Sequence, residues 1–587
     1  MLNFKLKANA VDMEHSFSPL VDYLQSLGIE EPHEFIGIAH KKNEISGRYL
    51  DNAMRMIAML KDCLENKRKI FLIVDCDTDG FTSSAIFYNY FKTLYPNSDI
   101  QWMLHEEKQH GIEMDKIPDD AEVIIVPDAG SNQIHEVLEL ANRGKMVLIM
   151  DHHQVEYVMP EHDLICVVNN QTSPNFENKA LSGAGVVFKI IQLYDEVYNG
   201  DARLSDSFYD LAALGIIADC MDSRTLDNNY IIRKGLVNIK NLMFKALLDK
   251  QNYSIKNTEQ PTKMDISFYI APLINGTIRM GTMEEKELLF RGFIEQNHTE
   301  YYDHTWRGKT TLEDFYHRSA RIAFNVKNEQ NRLKMKCLEF LQKRVEQQGL
   351  NNNKIIAVIT YDDDDVPVPK TITGLVAMEM LKLYGKPSLV LRPTIGKDGE
   401  LTYAGSGRSN SYEELPSFLA FVRDQEESVY AQGHSCAFGA SIKADEFEHF
   451  IQACNEKMSH IDFSNDTIYV DVHFKDRINR RLVDDFARGN YIYGNQIPEP
   501  LIAIEATISS SDVMFMGADA SSIRITIGGV PCIKFKSPQL AEELRSIGRA
   551  KVTIIGSTDL NNYKGVERGQ IMIKHIEVEK LRSGGLF

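Results

Sequence analysis

Three aspartates fall within five residues at Asp75-Cys76-Asp77-Thr78-Asp79, directly after the apolar run KIFLIV and directly before Gly80. Two further apolar runs end the same way: AEVIIVP meets Asp128, and KMVLIM meets Asp151, which is followed by His152 and His153. A further acid, Asp219, follows the apolar stretch LGIIA. Carboxylates beside apolar runs are costly to bury unpaired, and bound cations offset that cost. Mixed carboxylate and imidazole donors suit Mn2+ or a similar ion better than a thiolate-loving metal. A solvated acidic loop is the bland alternative for the first run, and DxDxDG also occurs in calcium loops. A calcium loop needs flanking helices and a later bidentate Glu. Here an apolar run precedes the motif and FTSSAIF follows Gly80.

The elements that must position these groups are short apolar runs alternating with helix-length segments. KIFLIVD, AEVIIVPD, KMVLIMD and LICVVNN read as buried parallel strands of an α/β sheet, which predicts a catalytic domain over residues 66–310. Ligands of such sheets sit at the carboxyl ends of the strands, where the aspartates fall. Residues 1–65 carry helical spacing and predict a helical preface. Residues 311–349, highly charged and stopped by Gly349, predict a long connecting helix. A smaller α/β domain is expected over 350–460, and the alternating strands of 461–587 predict a small β-barrel.

At 587 residues the chain is too long for one core, and 43% hydrophobic with 25% charged residues is an ordinary globular mixture. No apolar run approaches the roughly 20 residues of a membrane span, and no signal peptide is visible, so a cytoplasmic protein is expected. The 8 cysteines are scattered without CxxC pairs, which argues against a disulfide scaffold or a zinc ribbon. A formal charge of −18 counts against nucleic acid as a partner, but cations held by clustered acids cancel part of it and a local groove can still be positive.

The series DxDxDG, PDAG, DHH and ADC resembles the DHH phosphoesterase superfamily, and the remainder resembles its RecJ branch. The further matching segments are SGAGVVFK (182–189), APLINGTIRMG (271–281), TGLVAMEM (373–380), GSGRS (405–409), GHSCAFGASI (433–442) and YGNQIPEP (493–500). The resemblance implies a parallel-sheet DHH domain, a DHH-associated domain and a C-terminal OB-fold. It implies two divalent ions, Mn2+ or alternatively Mg2+: Asp77 and Asp128 with Asp75 near at one, and Asp79, Asp128, His152 and Asp219 at the other. His153 is implied as hydrogen-bond donor or general acid to the scissile phosphate, and Asp151 as the group that orients the histidines. Arg279, Ser406, Arg408, Ser409 and His434 lie in segments implied to contact phosphate. Tyr491, Tyr493, Phe515 and Phe535 could stack on bases or serve as core, and the run Asp362–Asp365 reads as a solvated loop.

The activity implied is a two-metal, single-stranded-DNA exonuclease working 5′ to 3′ in recombination or repair, as a monomer alongside a helicase or a single-strand-binding protein. Two competing readings are a phosphodiesterase for short RNA or dinucleotides and a non-catalytic replication scaffold. The chain departs from the family at His105, near which relatives carry an arginine, at Ile216 in place of a frequent Thr, and in its PDAG sequence.

Overall fold

The computed structural model describes residues 2–8, 10, 16–37, 43–107, 109–396, 399–412, 414–463, 467–563 and 565–581. Five parallel strands form the sheet that carries the acids: β1 (Ile70–Val74), β2 (Ile100–Leu104), β3 (Val123–Pro127), β4 (Met146–Asp151) and β5 (Ile165–Asn169), in the spatial order β2-β1-β3-β4-β5. Every residue of β1, β3 and β4 is buried. That burial is why these strands read as continuous apolar runs: side chains alternate between two covered faces. Leu72, Val74, Ile125 and Leu148 pack into the larger core on one face, while Phe71, Ile73, Ile124 and Ile149 pack into a second core on the other.

Four helices matter to the site. α1 (Thr78–Leu94) leaves β1 directly, α2 (Ile134–Asn142) connects β3 to β4, α3 (Gly183–Tyr194) follows β5, and α4 (Tyr209–Ala218) ends at Asp219. α5 (Ala271–Met280) then packs against the long helix α6 (Phe315–Gln347), which leads into a second sheet. That sheet contains β6 (Ile356–Ile359), β7 (Ser388–Ile395), β8 (Leu401–Arg408), β9 (Ser428–His434) and β10 (Ala437–Lys443), with α7 (Thr373–Tyr384) packed on β7 and β8. Its order is β9-β10-β8-β7-β6, and only the β6–β7 pair is parallel. The C-terminal part forms a seven-stranded sheet around its own core, dominated by the long antiparallel pair Arg549–Tyr563 and Val566–Lys580.

Three elements differ from the sequence expectation. The N-terminal segment is not wholly helical: Phe4–Leu6 pairs in parallel with Ile468–Val470, and the helix Pro19–Ser26 contributes Leu20, Tyr23 and Leu24 to the C-terminal core. A three-residue strand is too short to show a period. The connecting helix begins later than residue 311, because Lys309–Asp314 pairs with Tyr301–Trp306 as an antiparallel hairpin. Arg307 and Gly308, at φ 49° and 76°, make its turn, and Asp314 caps α6 by accepting from His317 N–H. The aspartates at 362–365 are not all solvated: Asp364 is half-buried against Arg344 at 2.5 Å, while Asp362 stays exposed beside Arg392. Among the described residues no helix is long and apolar enough to cross a membrane.

Candidate metal centre

The turn from β1 into α1 places its three acids by backbone chemistry. Asp77 caps the helix, its carboxylate accepting from Gly80 N–H at 3.0 Å. Asp79, in the first helical turn, accepts from Gly183 and Ala184 N–H at 2.6 and 3.0 Å, and so docks on the N-terminus of α3. Asp75 accepts from Gly111 N–H at 2.9 Å. Asp128 follows β3 with φ 65°, a left-handed conformation that an aspartate tolerates better than most side chains, and its N–H donates to Met150 O in β4. Gly183 lies so close that a Cβ there would overlap the Asp128 carboxylate. Small residues at the start of α3 therefore let the helix end approach two buried acids at once.

Asp151, at the end of β4, accepts from the backbone N–H groups of Ser131, His152 and His153, and lies 2.8 Å from His153 Nδ1. Its carboxylate is thus spent on orientation. His152 Nε2 faces three acids, at 3.2 Å from Asp128 Oδ1, 3.5 Å from Asp219 Oδ2 and 3.9 Å from Asp79 Oδ2.

Every acid and imidazole singled out for metal chemistry in the sequence lies at this one sheet edge. Donor atoms of Asp75, Asp77 and Asp128 lie within 4.8 Å of one another, as do those of Asp79, His152 and Asp219, and those of Asp128, His152 and His153. Asp128 stands between the first and second groups. Its Oδ1 is buried and makes no hydrogen bond. An orphaned carboxylate oxygen at that position is costly unless a cation takes it. The electrostatics agree: burial, reinforced by neighbouring carboxylates, pushes Asp77 up to about 6, Asp219 up to about 8 and Asp128 well above the usual range. Burial also lowers His152, favouring the neutral imidazole that ligates metal. Burial raises Asp151, but hydrogen bonds from His153 and Ser131 and the charges of both histidines outweigh it and hold the carboxyl well below its usual value. These residues fit a pair of divalent ions.

Three contributors were missed in the sequence. His110 Nδ1 lies 2.7 Å from Asp75 Oδ2 and within 3.6 Å of Cys76 Sγ, and those contacts push the imidazole up to about 11. His105, the residue expected near the family arginine, is buried with its Nδ1 against the Glu113 carboxylate. The only signal for His110 was the glycine after it. Asn275 in α5 accepts from Thr78 N–H and Oγ1 at 3.1 and 3.0 Å, tying α5 to the acidic turn. Asn495, in the YGNQIPEP segment, donates through Nδ2 to the carbonyls of Ile216, Ile217 and Met221, each at 3.2 Å. Those carbonyls lie at and just beyond the end of α4, next to Asp219, and the amide supplements the backbone N–H groups that Ile216 O and Ile217 O already accept. An Asn495→Leu protein should bind Mn2+ about 10–100-fold more weakly, the usual cost of losing a group that orients a ligand. Calorimetric titration checks this, and unchanged affinity would contradict it.

The residues expected to contact phosphate divide. Arg408 and His434 both lie opposite Ala437 in neighbouring strands, so they share a sheet face, as do Ser406 and Gln432 opposite Gly439. Gln432 reaches Glu156, beyond β4, at 3.4 Å, so this face looks toward the acidic cluster's domain. Arg408 is held close to Gly374, where a Cβ would come within 2.5 Å of Nη2, and burial followed by the charge of Arg279 lowers its guanidinium. Ser406 bonds Thr373 at 2.9 Å. Ser409 departs from expectation: it is buried and its hydroxyl donates to Asn410 O. Among the barrel aromatics, Tyr493 is core and donates to Phe486 O, Tyr491 packs against Arg233, Phe515 against Arg545, and Phe535 is exposed.

Comparison with known proteins agrees with this geometry. Residues 69–216 match the model of the DHH family N-terminal domain, and residues 472–575 match the RecJ OB domain. The SPbeta prophage-derived protein YorK of Bacillus subtilis strain 168, named provisionally as a single-strand DNA-specific exonuclease, is 33% identical over 97% of this chain and 98% of its own. The single-stranded-DNA-specific exonuclease RecJ of the same organism is 24% identical over 89% of this chain and 63% of its own. The crystal structure of Thermus thermophilus RecJ in complex with Mn2+ superimposes with a TM-score of 0.70 at 20% identity, covering 100% of this chain and 80% of that one. A DHH sheet whose motif acids converge, an OB domain behind it and a full-length relative at this identity together place the chain in the RecJ-like branch of the DHH superfamily.

Proposed function

We propose that the chain is a metal-dependent exonuclease for single-stranded DNA. The observation that carries this reading is the pair of donor groups meeting at Asp128, together with a basic pair, Arg279 and Arg408, with which no carboxylate pairs among the described residues. Asp75, Asp77 and Asp128 would hold one ion, and Asp79, Asp128, His152 and Asp219 the other, with Mn2+ or Mg2+ as the ion. Two ions bound there would lower the pKa of a water and clamp the entering and leaving oxygens of an in-line displacement. His153 presents its free ring nitrogen to the scissile phosphate, and Asp151 fixes that ring.

The basic pocket makes the enzyme an exonuclease in this reading. Asn275 and Arg279 lie four residues apart on α5, so the pocket sits about 6 Å along the helix from the acidic turn. A strand end anchored by Arg279, Ser406, Arg408 and His434 would present its first phosphodiester to the ions. The OB domain and the family resemblance support a long single strand over a dinucleotide, and 5′-to-3′ polarity. A helicase or single-strand-binding protein would supply such a strand, and a monomer suffices, because the donors all come from one chain.

Digestion of end-labelled single- and double-stranded DNA with Mn2+, Mg2+ or chelator tests the reading. Metal-dependent release of mononucleotides from the single strand is expected. Activity in chelator, or faster hydrolysis of a dinucleotide than of a long strand, would overturn it. Arg408→Ala should raise KM for the strand about tenfold, the value of one charge-assisted hydrogen bond, with a smaller change in kcat. Steady-state kinetics on a labelled single strand checks this.

A further inference from the structure

We infer that Lys327 and Gln330, one turn apart on the long helix α6, complete the site for a terminal phosphate monoester, as a third cation beside Arg279, itself the neighbour of Arg408, and an amide donor next to that cation. This rests on the exonuclease reading and adds residues to which that reading gives no role. Lys327 is an unusual lysine for a helix as charged as α6. It lies flat against α5, its Cδ 3.0 Å from where a Cβ on Gly276 would stand, so the glycine in APLINGTIRMG is what admits it. Gly276 is one turn from Arg279 on the same helix.

The pocket's charge is unbalanced. Lys334, two turns further along α6, pairs with Glu379 at 2.8 Å. Among the described residues no carboxylate pairs with Lys327, Arg279 or Arg408. Lys327 Nζ donates to Gln330 Oε1 at 2.7 Å, and Arg408 donates to Gly407 O at 2.6 Å. Burial first, then repulsion from Lys334 and Arg279, lowers the Lys327 ammonium to about 8. Gln330 is 1% exposed and turns its oxygen to Lys327, which leaves its Nε2 donor buried without a partner. A purely structural lysine would meet an acid here, as Lys334 does. Clustered cations beside an orphaned amide donor instead lack an acceptor carrying several oxygens and negative charge. A phosphate monoester has more charge and more free oxygens than an internal diester, and therefore gains most from a third cation.

The test is binding of fluorescent single-stranded oligonucleotides by anisotropy in chelator, where hydrolysis is blocked. Oligonucleotides with a 5′ phosphate, a 3′ phosphate or hydroxyl ends are compared in the parent chain and in Lys327→Met, Lys327→Arg and Gln330→Leu. The parent chain should prefer one phosphorylated end. Lys327→Met should shrink the ratio of phosphorylated to hydroxyl affinity about tenfold, Gln330→Leu should shrink it less, and Lys327→Arg should restore most of it. No preference in the parent chain would overturn the inference. So would Lys327→Met and Gln330→Leu weakening every oligonucleotide by one common factor, which marks a packing role. The exonuclease reading is judged separately, by Mn2+-dependent hydrolysis of the hydroxyl-ended strand in the parent chain.

Discussion

An Asp128→Asn protein should hydrolyse single-stranded DNA at least about 10³-fold more slowly than the parent chain, the upper range for removing one preorganised electrostatic group. In chelator it should nevertheless be the more stable of the two. Asparagine keeps the shape and the left-handed backbone but removes the charge that binds cations. Without ions the parent site holds carboxylates that burial and mutual repulsion drive upward, Asp77 to about 6, Asp219 to about 8 and Asp128 beyond the usual range. An acid whose pKa is higher folded than unfolded binds more protons in the native state, so its stability contribution is complete below the unfolded value and lost as pH rises through the folded one. The metal-free parent should therefore lose thermal stability between about pH 4 and pH 8. Mn2+ should restore it by binding the native state alone. Differential scanning calorimetry of both proteins across that range, with and without Mn2+, checks all three outcomes. A metal-free parent that grows more stable toward pH 8, or a variant that retains activity, would contradict the assignment of Asp128.

The convergence of these acids and imidazoles was legible in the sequence because each sits next to a strong local signal. Asp75, Asp128 and Asp151 terminate runs whose burial on both faces makes them continuously apolar, so the strand ends, and with them the side of the sheet that carries chemistry, could be read directly. What stayed hidden depends on contacts distant in the chain. His110 meets Asp75 across 35 residues, Asn495 caps α4 across 279, and Asn275 reaches Thr78 across 197. None of these belongs to a periodic pattern, and a lone Asn or His carries no local sign of its partner. The parallel strand at Phe4–Leu6 was hidden for the same reason, since its partner lies at Ile468–Val470. The hairpin before α6 shows a different limit: Arg307-Gly308 is a turn signal, but the charge of the following segment made it read as helix.

His153→Ala should lower kcat about 10²–10³-fold while Mn2+ affinity changes only slightly, the range for a positioned proton donor rather than a metal ligand. The geometry separates those roles. The Nδ1 edge of His153 is committed to Asp151 at 2.8 Å, and its side chain is 54% exposed, whereas that of His152 is 8% exposed and its Nε2 points at three carboxylates. Burial lowers the His153 imidazole, but its hydrogen bond to Asp151 and the nearby acids outweigh that and push it up to about 9 in the metal-free protein. His152→Ala removes a cation donor and should weaken Mn2+ binding as well as turnover. Asp151→Asn should resemble His153→Ala in kcat with the histidine still present, because the amide lacks the charge that keeps the ring protonated and fixes it in place. His153 also shares a donor group with Asp128 and His152, so ligation is the competing role. Paired kinetics and Mn2+ titration decide between them: if His153→Ala loses metal affinity in step with kcat, His153 is a ligand and the proton-donor role fails.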